Sequence, residues 1–332
     1  MSFTHKISRR RLLAIALGSV VGLSTAATSL SLQAAEMDSI HFLIPGGAGG
    51  GWDGTARGTG EALTKSGLIN TASYQNMSGG GGGKAIAHLI ETAEQSEGTL
   101  MVNSTPIVVR SLTKVFPQSF RDLTPIAGTI ADYAAFIVTN DSPIKSWKDV
   151  VAGFKKNPRK MKFAGGSSKG SLDHLVPAAA IKAEGLDPKK LRYIPYDAGG
   201  KAMAGLLSGE AQLLSTGLGE ALEMSKAGQV RILAITAAER LKEAPNVPTL
   251  KEMGNDTVFA NWRGFFGAPG LSKAKAKVYA DVLAEMYKTP AWETVRSRNG
   301  WVNAFKPGDE FYSFLQQQEQ QVGDLMRELG FL

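Results

Sequence analysis

The sequence predicts an α/β protein, a mostly parallel sheet with helices on its faces. Two observations carry that expectation. Short apolar runs recur along the chain, each closed by glycine or proline and followed by a stretch of helical period. The composition, 43% hydrophobic and 20% charged over 332 residues, is that of a packed globular chain long enough for two domains.

Taken in order, residues 1–35 stand apart from the fold. Lys6, Arg9, Arg10 and Arg11 come without any acidic residue, followed by the apolar run 12–23 and a Ser/Thr/Ala stretch ending at Gln33-Ala34-Ala35. Basic, apolar and small-residue regions in that order read as an export signal that is removed from the mature chain. Ser8-Arg9-Arg10-Arg11-Leu12-Leu13 also fits the twin-arginine type, and the twin-arginine and general routes both stay open. The run is shorter than the ~20 residues a membrane-spanning helix needs, which argues against an anchor. The whole chain carries a formal charge of +7, but without those four residues 33 basic face 30 acidic residues, about +3. No basic tract interleaved with aromatics remains, so no nucleic-acid partner is expected. The absence of cysteine excludes disulfides, Cys-ligated metal and a cysteine nucleophile.

In the remaining chain, residues 39–44 form an apolar run cut off by Pro45 and a glycine cluster, and residues 52–65 follow with helical period. The pattern repeats with a strand at 73–77, a second glycine cluster and a helix at 84–94. Further strands are expected at 99–103, 135–138, 161–164, 191–194, 211–215 and 231–235, most of them separated by helices. Residues 273–332 read as helical apart from breaks near Pro290 and over 299–309. Gly58 and Gly60 within the first helix cost about 1 kcal/mol each relative to alanine, which points to close packing there.

In such folds ligands bind beyond the carboxyl ends of strands, where glycine turns open into helix N-termini. The first such turn is Pro45-Gly46-Gly47-Ala48-Gly49-Gly50-Gly51-Trp52-Asp53-Gly54-Thr55. Glycines let backbone N–H groups approach an anion, and the helix end adds about half a positive charge, which suits a carboxylate or phosphate. Asp53 reads as the helix N-cap rather than a catalytic acid. Gly49-x-Gly51-x-x-Gly54 formally satisfies a dinucleotide fingerprint, yet the acidic residue expected ~20 positions on is absent, since Tyr74, Gln75 and Asn76 occupy that region. The second turn, from Asn76 through Ser78 to Gly83, fails the P-loop pattern because Ala85 stands where Ser or Thr is required.

The third turn, Gly165-Gly166-Ser167-Ser168-Lys169-Gly170-Ser171-Leu172-Asp173-His174, contains Gly-x-Ser-x-Gly, the nucleophile-elbow pattern. A hydrolase of that kind needs a histidine well downstream, and none follows His174. What remains is a set of hydroxyls, Ser167, Ser168 and Ser171, facing an anion from a helix start, with His174 as a packing or capping residue. The fourth turn is Tyr196-Asp197-Ala198-Gly199-Gly200-Lys201. Asn261-Trp262-Arg263-Gly264 adds a guanidinium that could grip a carboxylate through two parallel hydrogen bonds or serve a structural ion pair, and both readings stay open.

These segments in this order, with Leu206-Leu207-Ser208-Gly209-Glu210, Leu233-Ala234-Ile235-Thr236, Arg240 and Pro245-Asn246-Val247-Pro248-Thr249-Leu250, resemble the substrate-binding proteins of tripartite tricarboxylate transporters, the TctC/Bug family, over essentially the whole mature chain. The resemblance implies a type II-like periplasmic-binding-protein fold, two α/β lobes with a ligand cleft between them, and no enzymatic activity. It divides the chain into lobe 1, residues 36–138 plus 261–332, and lobe 2, residues 139–260, with hinges near Asn140 and Phe259. The implied ligand is a small organic acid anion, a tricarboxylate such as citrate ahead of a dicarboxylate, and the implied partner is a membrane permease. A periplasmic monomer without cofactor is expected. The ligand-binding candidates are Gly46, Gly47, Ala48, Gly49, Gly50, Gly51, Trp52, Asp53, Thr55, Asn76, Ser78, Gly79, Gly80, Gly81, Ser104, Thr105, Ser167, Ser168, Ser171, Asp197 and Arg263. An exported oxidoreductase with a dinucleotide cofactor and a sensory carboxylate-binding protein are the alternatives.

Overall fold

The computed structural model describes residues 1–2 and 37–332, so the expected export signal lies outside the described residues but for its first two. Each apolar run becomes a strand where the next glycine or proline stops it. Strand β1, Ser39–Ile44, lies between β2, Thr71–Asn76, and β3, Thr99–Ser104, and pairs parallel with both. Helices α1, Gly51–Lys65, α2, Gly83–Glu91, and α3, Pro106–Leu112, follow these three strands. Residues Ser39–Leu332 form one compact unit.

The longest strand, β4, Thr124–Thr139, ties two sheet regions together. Its first part, up to Tyr133, pairs antiparallel with β9, Ala260–Gly267, and with β10, Val302–Pro307. From Ala134 onward it pairs instead with β7, Leu213–Gly217, and β8, Val230–Ile235. Between β4 and these strands lie α4, Trp147–Lys156, β5, Lys162–Gly165, α5, Leu172–Ala183, β6, Arg192–Pro195, and α6, Gly199–Leu207. Helix α7, Leu218–Lys226, follows β7 directly. Helices α8, Lys273–Met286, α9, Pro290–Arg298, and α10, Gly308–Leu329, complete the chain. The strand order is β2-β1-β3-β9-β4-β7-β5-β6. The result is two α/β lobes with a cleft between them.

The expectation of a mostly parallel sheet needs correcting. Pairing is parallel in the outer parts of each lobe and antiparallel at the centre, because a strand that crosses from one lobe to the other must be answered by one that returns. Thr236 pins that crossing: its Oγ1 accepts from the Ala134 amide at 3.0 Å and its backbone carbonyl accepts from the Phe259 amide at 3.0 Å.

Side chains along β4 alternate between two cores in the second lobe. Ala134, Phe136 and Val138 pack with Trp147, Phe154, Phe163 and Val176, whereas Ala135 and Ile137 face Leu206, Leu214 and Leu218. A third cluster, around Trp262, Phe266 and Phe311, fills the first lobe and also takes in Leu175 and Ala178 of α5. Gly58 and Gly60 are explained by packing within the first lobe. A Cβ on Gly58 would stand 2.8 Å from Val295 Cγ1, and one on Gly60 would meet the Tyr74 hydroxyl.

His174 is a packing residue. Its ring stacks on Tyr193 at 4.6 Å and meets Phe331 edge-on at 4.8 Å, and Nδ1 accepts from the Gly170 amide at 3.0 Å. Burial, reinforced by nearby Lys169, pulls its pKa down from 6.5 to about 4. The folded state therefore favours the neutral ring, and the stability it contributes is complete above pH 6.5 and lost as pH falls towards 4. Urea unfolding of wild type and His174→Gln should show the difference in stability shrinking over that window, by up to about 3 kcal/mol. A difference that is flat from pH 7.5 to 4 would contradict the assignment.

Candidate functional site

Four turns and the short helix α3 converge on a cavity of about 300 Å³ between the two lobes. From the first lobe come Pro45, Gly46, Gly47, Gly50, Gly51 and Trp52, then Gly79, Gly81 and Gly82, then Ser104, Pro106 and Arg110. From the second come Gly166 through Ser168, Ser171 through Asp173, Pro195 through Gly199, and Thr216, Gly217 and Glu220. Asn261 and Arg263 on β9 close the floor.

The first turn is held by Asp53, Arg57 and Asn76, which do not line the cavity, and by Trp52, which does. Gly50 is the N-cap of α1, so the expectation that Asp53 is the cap is corrected. Asp53 sits three residues further on and reaches back: Oδ2 accepts from the Gly49 amide at 3.0 Å, and Oδ1 accepts from Arg57 Nε at 2.9 Å and Asn76 Nδ2 at 3.0 Å. Asn76 Nδ2 also donates to the Gly46 carbonyl at 3.0 Å. Asp53, Arg57 and Asn76 thus lash the two glycine turns to each other. Trp52 packs on Gly46 and donates from Nε1 to Ser104 Oγ at 2.9 Å.

The second turn explains its own composition. Gly79, Gly80, Gly81 and Gly82 all have positive φ, at 141°, 59°, 64° and 101°, a run that only glycines adopt without strain. Gly81 has a further constraint, because a Cβ there would lie 2.5 Å from Arg110 Nη2.

Two arginines line the cavity, and they differ in what they hold. Arg263 is 4% exposed, donates from Nη2 to Asp132 Oδ2 at 2.9 Å and from Nη1 to Thr55 Oγ1 at 3.0 Å. Of the two readings left open for it, the ion pair is the one formed. Gly51 and Gly217 leave room for that pair, since a Cβ on either would overlap the guanidinium or the Asp132 carboxylate. Arg110 is 6% exposed and has no carboxylate within ion-pair distance among the described residues. Among the described residues its guanidinium makes one hydrogen bond, from Nη2 to Ser171 Oγ at 3.2 Å across the cleft, and its Nε has no partner. Burial lowers its pKa, yet a guanidinium stays charged.

The second lobe adds carboxyls. Asp173 Oδ2 accepts from Ser167 Oγ at 2.9 Å, and Glu220 Oε2 accepts from Thr216 Oγ1. Burial pushes Asp173 up to about 6 and Glu220 up to about 7, with Arg263 opposing the shift in both.

Of the residues expected to bind ligand, Gly46, Gly47, Gly50, Gly51, Trp52, Gly79, Gly81, Ser104, Ser167, Ser168, Ser171, Asp197 and Arg263 line the cavity. Ala48, Gly49, Asp53, Thr55, Asn76, Ser78, Gly80 and Thr105 do not. Ala48 and Gly49 are exposed, Thr55 holds Arg263, Ser78 Oγ is buried without a partner, and Thr105 donates to Asn261 Oδ1 at 3.5 Å. Sequence reasoning missed Arg110, Asp173 and Glu220. The visible signal for Arg110 was a lone charge after Pro106-Ile107-Val108-Val109, where only burial with a purpose places an arginine.

Residues 56–331 match the family model described as the tripartite tricarboxylate transporter family receptor. The chain belongs to that family. Among curated relatives, a protein encoded in the tcbD-tcbE intergenic region of Pseudomonas sp. (strain P51) is 26% identical over 277 residues, covering 81% of this chain and 79% of its own. BugT of Bordetella pertussis (strain Tohama I) is 25% identical over 325 residues, covering 96% and 98%. Among solved structures, the periplasmic binding protein BugD superposes with a TM-score of 0.79 at 22% identity, over 88% of this chain and 97% of its own. MatC from Rhodopseudomonas palustris, solved with bound malate, gives 0.75 at 19% identity over 86% and 98%. An R. palustris protein solved with adipate gives 0.79 at 19% identity over 88% and 97%. The last three likenesses concern the fold.

Proposed function

We propose that this family receptor is a periplasmic solute-binding protein that closes its two lobes on a small organic carboxylate and presents it to a tripartite tricarboxylate transporter permease. The observation that carries the reading is Arg110: a buried guanidinium without a carboxylate partner among the described residues, in a cavity lined by glycine turns. A buried charge left so is costly unless a ligand completes it, and a carboxylate fits its fork with two parallel hydrogen bonds. Backbone amides of the glycine turns and the hydroxyls of Ser168 and Ser171 supply further donors. Malate and adipate in structural neighbours are carboxylates of the size such a cavity takes.

The tricarboxylate implied by the family resemblance gives way in this reading. One unpaired guanidinium matches one carboxylate, and Asp173 and Glu220 in the opposite wall repel a trianion. The two lobes, with the first boundary moved from residue 138 to 133, would move about β4 and β9. We place the first hinge at Tyr133–Ala134, where β4 exchanges partners, earlier than Asn140, and keep the second near Phe259, which Thr236 holds. Closure would screen the bound anion from water and strengthen each hydrogen bond.

A thermal-shift screen over citrate, other tricarboxylates, dicarboxylates, amino acids and aromatic acids tests this. A rise in melting temperature with at least one carboxylate is expected, saturating with concentration. A screen in which every carboxylate leaves it unchanged would refute the reading.

A further inference from the structure

The charges around the cavity are distributed unevenly. On the wall built from the second lobe and the floor, the charged lining residues are Asp173, Asp197, Glu220 and Arg263; Asp197 pairs with Lys201 at 3.7 Å and Arg263 pairs with Asp132 at 2.9 Å. Asp173 and Glu220 both line the cavity, and neither has a cation within ion-pair distance among the described residues. Each accepts from a hydroxyl: Ser167 turns its O–H to Asp173, and Thr216 turns its O–H to Glu220. The glycine at position 199 leaves the Glu220 carboxyl its place, since a Cβ there would overlap Oε2. Facing this acidic wall from the first lobe is Arg110, nine-tenths buried, with Nε unpartnered.

We propose that Asp173 and Glu220 form a subsite for a cationic nitrogen, so that the solute is a zwitterion, an amino acid or a similar amine-bearing acid, with its carboxylate on Arg110. The inference rests on the reading of the cavity as a carboxylate site. Arg263 pairs with Asp132, the ligand carboxylate answers Arg110, and an ammonium between Asp173 and Glu220 leaves one negative charge on that wall where a plain carboxylate ligand leaves two. A plain di- or tricarboxylate would leave the acidic wall unanswered and add like charge to it. That both carboxyls titrate near neutrality without ligand agrees with a wall that lacks its cation. Discrimination of this kind is strong, because an analogue without the nitrogen leaves polar groups in the wall unpaired.

Isothermal calorimetry at pH 7.5 tests it on the mature chain, with each amino acid, α or ω, set against its 2-hydroxy and its deaminated counterpart of the same skeleton. At least one amine-bearing acid should bind ten-fold or more tighter than both counterparts. Asp173→Asn with Glu220→Gln should bring the amine-bearing acid and its deaminated counterpart to the same affinity. Glu220→Gln alone should reduce the preference and provides the test should the double variant fail to fold by circular dichroism. Deaminated acids binding as tightly as their amines in wild type would overturn the subsite while the carboxylate site stands. Simple alkylamines binding as tightly as the amino acids would leave the subsite and overturn the carboxylate site. Failure of every amine-bearing acid to bind, or a preference unchanged in the double variant, would also overturn the proposal.

Discussion

Replacing Arg110 with methionine is expected to weaken binding of the carboxylate ligand by on the order of 100-fold, the loss of two charge-assisted hydrogen bonds in a dry site. Met fills much of the same volume without the charge, so the unliganded fold should be as stable as wild type or more so, since a buried guanidinium with an orphaned Nε is removed. Gly81→Val should act in the same direction by another route. Its φ of 64° disfavours a β-branched residue, and the added Cβ would displace Arg110 Nη2, 2.5 Å away. Calorimetric titration with urea unfolding on the same samples separates the two effects. Wild-type affinity in Arg110→Met would contradict the role given to this residue.

Asp132→Ala is expected to cost about 3–5 kcal/mol of stability, because it leaves the Arg263 guanidinium buried and uncompensated. The pair stands where β9 crosses beside β4 and presses on Gly51 and Gly217, so its loss disturbs both lobes at their junction. Replacing both partners together, Asp132→Leu with Arg263→Met, should recover much of that loss, since two charges leave the interior at once. Equilibrium urea unfolding of the two variants beside wild type reads the loss and its recovery. An Asp132→Ala protein within 1 kcal/mol of wild type would show that the pair contributes little.

Local signals made the strand-turn-helix units legible. β1 ends where Pro45 and the glycines end its apolar run, and β8 is visible as Arg231-Ile232-Leu233-Ala234-Ile235. The turns themselves were legible for the same reason, since a run such as Gly79 to Gly82 has few conformations open to other residues. The full length of β4 and the existence of β9 and β10 were not. The segment with Arg263 and Gly264 breaks strand alternation, and it becomes a strand only because Asp132 and Phe311 wait across the fold to receive the guanidinium and the bare α-carbon. Arg110, Asp173 and Glu220 share that obscurity: each looks like an ordinary charge near a helix start or end, and only the tertiary fold brings them to a common cavity. Asp53 was misread by three residues because Gly50 takes the cap position without offering a side chain.

The most direct measurement is a crystal structure of the protein grown with the tightest-binding carboxylate from the screen. The ligand is predicted in the cleft with a carboxylate oxygen within 3.2 Å of the Arg110 guanidinium and accepting from amides of the glycine turns. A ligand held elsewhere, or one in the cleft with Arg110 turned away from it, would contradict the account.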